Sequence, residues 1–388
     1  MNLRTWSCLR APNVSAELKP LALFLPLALA LAVLGQAEDR WKVQYFYDKS
    51  DSVFDIRDIR CPSAQRCIAA GVIDDGGHER GAIVLTNDGG LHWTLSNVKE
   101  HPVALFFLDE SSGWMATDRG IWFTQEGGRI WNKLESLKGV VDVYFLDASH
   151  GYAIGFPKAV YETNDGGHKW VKLAAAAEAP GDPQHTTYDC VAFAGAHGLI
   201  AGSIDTSEPV PIRRNPATGA LELTPGDNTV VLETNDSGKT WTNKGVRFDD
   251  GKLLKLGISD TGMLAMTVAY ASRRAKFPSA VLGVSPEAKE GQTLFAQRGR
   301  VVLDIALLPH ARAFIAAVEP PGNSNEVPIP GKLKMLESED LNVWREMNVD
   351  YRAVARAAAL AAPDAEHVWV ATDTGMILNL AKDASGAH

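Results

Sequence analysis

Four acidic side chains recur in one setting along the chain. Asp88, Glu126, Asp165 and Asp236 are each followed five residues later by a tryptophan, Trp93, Trp131, Trp170 and Trp241. Two carboxylates facing one cleft are what glycoside hydrolysis requires, so sugar-bond cleavage is the first chemistry to weigh. The setting argues against it. The strings Thr86–Trp93, Thr124–Trp131, Thr163–Trp170 and Thr234–Trp241 all follow the form [Ser/Thr]-x-Asp-x-Gly-x-x-Trp, with Glu126 as a conservative variant. An acid beside glycine suits a tight turn: the carboxylate accepts backbone N–H groups, and glycine supplies the positive φ that the reversal needs. These four acids are expected to hold turns rather than to move protons.

The elements around the turns are strands. Runs rich in β-branched and aromatic residues precede them, at Ala82–Leu85, Gly120–Phe123, Ala159–Glu162 and Val230–Glu233. Each tryptophan opens the next strand and is placed to pack beneath the turn. The strings resemble the Asp-box, or BNR, repeat of β-propellers, and the first three tryptophans lie 38 and 39 residues apart, about one four-stranded blade. A run of small residues recurs upstream of the turns: Cys67–Gly71, Gly113–Thr117, Gly151–Gly155, Gly198–Gly202, Gly262–Met266, Ala313–Ala317 and Val368–Thr372. That makes seven units, and the small side chains suit inner strands, which crowd toward the axis. Later turns decay: Glu337–Trp344 keeps its tryptophan without the glycines, and Ser285–Leu294 has none. The seventh unit lacks a strand, while Trp41–Tyr47 is strand-like with no unit of its own. The prediction is an all-β, seven-bladed propeller over residues 41–381, closed by its N-terminal strand.

A formal net charge of −9 over 388 residues excludes nonspecific nucleic-acid binding. At the N-terminus, Arg4, Arg10 and Lys19 precede an apolar run, Leu21–Leu34, and then Gly35-Gln36-Ala37. Residues 1–37 are predicted to be a secretory signal peptide, the apolar run being short for a membrane span. Residues 382–388 are read as a disordered tail. The mature chain is expected in the periplasm or secreted, soluble and monomeric. Cys8 falls in the leader; Cys61 and Cys67 flank a turn-rich spacer and are predicted to form a disulfide. Cys190 sits in an apolar run and reads as core. No metal site and no cofactor are expected: Asp74–Glu79 lacks the spacing of an EF-hand and is predicted to be an exposed turn.

Function is sought in the long loops. Ser203–Asn228, Tyr270–Ser279, Glu319–Gly331 and the linker Ala174–Tyr188 are predicted to gather on the face opposite the box turns, where a rigid scaffold would carry a binding site. Arg213 and Arg214, with Arg273, Arg274 and Lys276, are two basic clusters in an acidic protein. They are candidates for holding an anionic partner, the alternative being solvated loops. His185 and Tyr188 are adjacent candidates, and Ala174–Pro183 reads as a loop without chemistry.

The box strings, with Ser112–Thr117 and His150–Gly155, an exported leader and seven units, resemble the photosystem II stability and assembly factor family. That resemblance implies a non-enzymatic assembly chaperone of the thylakoid lumen or periplasm, bearing an arginine-rich patch. Its partner would be a protein, with a membrane-protein complex among the candidates. The rival is an Asp-box glycoside hydrolase, sialidase-like or endoglucanase-like, or a carbohydrate-binding propeller. Sialidases need an early Phe/Tyr-Arg-Ile-Pro motif, and the nearest string here, Val210–Arg213, has the wrong order and comes late. No carboxylate pair is singled out by spacing, and nucleophile, zinc-protease and phosphate-loop motifs are missing. The expectation is a binding scaffold with no catalytic residues.

Overall fold

In the computed structural model, which describes residues 40–205, 212–214, 221–223, 229–244, 251–259, 261–270, 276–284, 291–320 and 331–381, the chain lays down one four-stranded antiparallel unit after another. The first strands of the units are Ser52–Arg60, Pro102–Phe107, Val140–Phe145, Thr186–Ala194, Gly251–Ile258, Val301–Leu307 and Ala358–Ala361. Each packs against the first strand of the next unit, and Ala358–Ala361 packs back on Ser52–Arg60, so the described strands close a ring of seven. The predicted signal peptide and tail lie outside the described residues.

Closure works as the sequence suggested. The strand Arg40–Phe46 runs antiparallel to Met376–Ala381 and supplies the outer strand of the seventh blade. Its first residues also pair in parallel with Asn348 and Val349 of the sixth blade, which stitches the two blades together. Trp41 is fully buried in this joint against Phe314. The hydrophobic core is correspondingly divided: seven buried clusters among the described residues each draw from two neighbouring blades.

The small-residue runs form the second strand of each blade, an inner strand as expected, one place out from the strands at the axis. Gly113–Thr117 and Gly151–Gly155 are buried at every position because adjacent blades cover both faces of them. Small size is needed for a further reason: a Cβ on Gly71 or Gly155 would lie 1.9 Å from the carbonyl oxygen of Asp55 or Gly139, backbone that cannot give way. The strands that line the axis precede these runs. Six of the seven carry a β-bulge at the same place, for instance between Ile56 and Asp58 and between Val140 and Asp142, which re-aims the side chains that follow.

The linker after blade three is not a plain loop. Ala174–Glu178 is a short α-helix, consistent with the helix preference of its alanine run, and Pro183–His185 is a 3-10 turn. Lys158 fastens this segment, its Nζ donating to the carbonyls of Ala177, Ala179 and Gly181.

Candidate functional site

The box acids are spent on their own turns. Thr163 Oγ1 donates to Asp165 Oδ1 at 2.8 Å and accepts the Gly167 amide at 3.0 Å, while Asp165 Oδ1 accepts the Lys169 amide at 2.9 Å. Thr86 with Asp88, and Thr234 with Asp236, repeat this arrangement. The His92 amide and ring hold the Asp88 carboxyl down to about 2, and Thr240 does the same for Asp236. An acid ionised so far below neutrality has no proton to donate. Glu126, one methylene longer, reaches the Arg129 guanidinium instead. In blade six the working turn is Ser338–Trp344, one residue shorter than the other boxes. Leu341 takes the glycine place at φ 60° and Asp340 accepts the Asn342 and Val343 amides. Glu337, counted with that box in the sequence, is instead a strand residue paired with Arg312 and Arg345.

Each box tryptophan meets an aromatic ring edge-on: Trp93 with Trp369, Trp131 with Phe107, Trp170 with Phe145 and Trp241 with Tyr152. Such pairs contribute about 1 kcal/mol beyond their burial. The third residue after the threonine of each box donates its amide to the turn joining the first two strands of its blade: Gly89 to Gln65 O and Ser237 to Ala196 O at 2.9 Å, Gly127 to Ser111 O and Gly166 to Ser149 O at 2.8 Å. Both sets of turns therefore lie on one face of the ring.

The axis holds acids of a different kind. All seven first strands line a central cavity of about 180 Å³, into which Asp58, Arg60, Asp142, Asp189, Lys255 and Asp304 project. Asp58 and Asp304 are nine-tenths buried and act as ties between blades. Asp58 accepts its own Ile59 amide at 2.9 Å and the Leu105 amide of blade two at 2.8 Å. Asp304 accepts Ile305 and, across to blade seven, Leu360, both at 2.8 Å. Asp142 occupies the equivalent place in blade three, yet it accepts only its own Val143 amide, at 2.9 Å. Burial pushes its carboxyl up to about 6 against the opposing pull of Arg60 and Lys255. Cys190 holds the same place in blade four, buried, with its thiol donating to Leu254 O at 3.4 Å.

At the box-face end the channel widens into a mouth of about 300 Å³. Its walls are Pro62, Phe106, Phe107, Tyr144, Val191 and Ala192, and its charged groups are Arg60 and Asp142. Tyr144 stands with its ring centroid 4.8 Å from Phe106 and 5.2 Å from Phe193, its hydroxyl donating to Phe193 O. The Cys61–Cys67 disulfide, formed as predicted, closes the turn that contributes Cys61 and Pro62 to the wall. Apolar walls around a few convergent polar groups are the usual composition of a binding pocket.

The basic residues singled out in the sequence are placed less completely. Arg213 and Arg214 lie in the strand Ile212–Arg214, paired with Leu221–Leu223, and their side chains are outside the described residues, as are Arg273 and Arg274 entirely. Lys276 is exposed, its Nζ 5.1 Å from the centroid of the Phe277 ring. His185 is exposed on the linker, whereas Tyr188 is fully buried and donates to Ala176 O at 3.1 Å, so it holds the linker helix and reaches no ligand. Among the described residues, no three His, Cys, Asp or Glu side chains gather as a metal site needs. The sequence reading missed the axial acids. Their signal was an aspartate inside an otherwise apolar strand, as in Val140-Val141-Asp142-Val143 and Val302-Leu303-Asp304-Ile305, because a buried charge needs a reason.

The chain is an all-β, Asp-box-repeat propeller. Within that class it resembles the photosystem II assembly factor: the family described as "Photosynthesis system II assembly factor YCF48" matches residues 132–206, from the outer strand of blade two into the blade-four insertion. The solved structure of YCF48 bound to D1 peptide aligns over 90% of this chain and 97% of its own, at 16% identity and a TM-score of 0.58. YCF48 from Cyanidioschyzon merolae aligns over 89% and 99%, at 14% identity and a TM-score of 0.56. The WD40 propeller domain of Doa1 aligns over 89% and 98%, at 11% identity and a TM-score of 0.53. No curated protein matches the sequence.

Proposed function

We propose that this chain is an exported, non-catalytic scaffold that takes a peptide segment of a protein partner into the axial mouth on its box face. The observation that carries the reading is the mouth itself: an apolar, aromatic-walled opening with two charged side chains at its base, in a molecule whose box acids are all committed to turns. The solved relative that holds a D1 peptide supports a peptide as the occupant. The leader supports export, to the periplasm or beyond, with a membrane-protein complex as one source of the partner. A glycoside hydrolase is disfavoured because, of the axial acids, Asp58 and Asp304 are tied to backbone amides and Asp189 to the Ser203 hydroxyl, which leaves Asp142 without a free second carboxylate among the described residues.

Arg213, Arg214, Arg273, Arg274 and Lys276 are a second candidate, favoured by the exposed ammonium of Lys276. Affinity capture from the protein's own extract, read by mass spectrometry, tests both. Ala192→Trp, which fills the mouth, is expected to abolish recovery of a specific protein. Reversing the charges of both arginine pairs is expected to leave the core of the complex in place. Recovery unchanged by Ala192→Trp and lost on charge reversal would move the site to these basic residues. Bound oligosaccharide without a protein would favour a carbohydrate-binding propeller.

A further inference from the structure

We propose that the mouth selects a basic side chain, a lysine or arginine of the partner segment flanked by apolar residues. This rests on the mouth being the peptide site and names what it accepts. The reasoning is an account of open valences. Of the two charged groups at the mouth, Arg60 is largely tied: its Nε donates to Leu105 O at 2.9 Å, and one of its two terminal nitrogens lies 3.2 Å from Asp58 Oδ1 and donates to Ile59 O. Asp142 is not committed. One of its oxygens takes the Val143 amide and the other has no hydrogen-bond partner among the described residues.

The charges behind it leave the same remainder. Arg60 faces Asp58. Lys255 has Asp304 as its strongest electrostatic neighbour. Asp189 accepts the Ser203 hydroxyl at 2.8 Å and has Lys252 beside it. The Cys190 thiol, pushed up by burial, carries no charge to oppose. Asp142 is thus the excess negative charge facing the opening.

The walls suit a cation. Tyr144 and Phe106 line the same mouth as the carboxylate, and a lysine or arginine over an aromatic face gains attraction from the ring quadrupole. An alkyl stem would lie along Val191 and Ala192, as long basic side chains do on apolar surface. A carboxylate-bearing side chain would meet Asp142 with like charge and find Arg60 already largely engaged. Proton linkage follows. A bound cation favours the ionised carboxyl, so affinity for it is full above about 6 and falls by about tenfold in all as pH drops below that value.

The test uses three capped peptides, acetyl-Ala-Lys-Leu-Ala-amide and its counterparts with glutamine or glutamate in place of lysine, titrated calorimetrically into the mature protein. The lysine peptide is expected to bind about tenfold more tightly than the glutamine peptide at pH 7.5. Asp142→Asn keeps an acceptor for Val143 and should bring the two together while leaving the glutamine peptide unchanged, which shows that the mouth is intact. Equal binding of lysine and glutamine peptides, abolished by Ala192→Trp, would overturn the basic occupant and leave the mouth as the site. Preference for the glutamate peptide would overturn it in favour of Arg60. No binding, or binding indifferent to Ala192→Trp, would overturn both readings.

Discussion

Acids at the rim and acids at the axis follow opposite rules. In the box turns each aspartate sits at the surface and is ionised well below neutrality by its own loop, with blades one, three and four repeating the solution. At the axis three aspartates occupy equivalent places, but only Asp58 and Asp304 reach across to the next blade, and Asp142 does not. The repeated motif is where the chain is most legible and least free to do anything else. The departure from symmetry, a buried carboxylate with one oxygen unspent, is where a ligand has something to bind.

The comparison can be broken most severely at an axial tie. Asp58→Ala would leave the buried amides of Ile59 and Leu105 without acceptors and should lower stability by about 3 kcal/mol in urea unfolding. Asp142→Asn should act in the other direction. The folded carboxyl titrates near 6, above its unfolded value of about 3.9. Ionisation therefore disfavours the folded state, a penalty absent at low pH that builds as pH rises from about 4 and is complete above about 6. Removing the charge should raise stability by about 2 kcal/mol at pH 7.5, and the gain should vanish near pH 4. An equal gain at both pH values would mean that Asp142 is not buried as a charge. The smallest effect is expected at the rim. Thr163→Val loses the hydroxyl that joins Asp165 to the Gly167 amide and should cost about 1 kcal/mol, with partner capture unchanged.

Much of the fold was readable because repetition shows itself in sequence. Glycine, aspartate and tryptophan at fixed offsets marked the turns, and a strand-like segment with no unit of its own, Trp41–Tyr47, revealed the closure. The inner place of the small-residue strands was legible, but one cause of their small size was not. Residues such as Ala69 and Ala153 are small because blades press on both sides of them. The linker helix was hidden by its flanking prolines and glycine. The site was the least legible part. Its walls come from the turn between the first two strands of blade one and the ends of the first strands of blades two to four, and nothing local distinguishes Tyr144 or Ala192 from other strand residues. Even the aspartates, visible as charges in apolar runs, look alike until their partners are seen across the ring.

The central claim, that binding resides at the axial mouth and not in the motif that names the fold, is tested most directly by capturing the partner with two variants side by side. Ala192→Trp fills the mouth and leaves every box intact; Asp165→Asn alters a box acid and leaves the mouth open. Loss of the partner with Ala192→Trp and its retention with Asp165→Asn is the result expected. Retention with the filled mouth, or loss confined to the box variant, would contradict it.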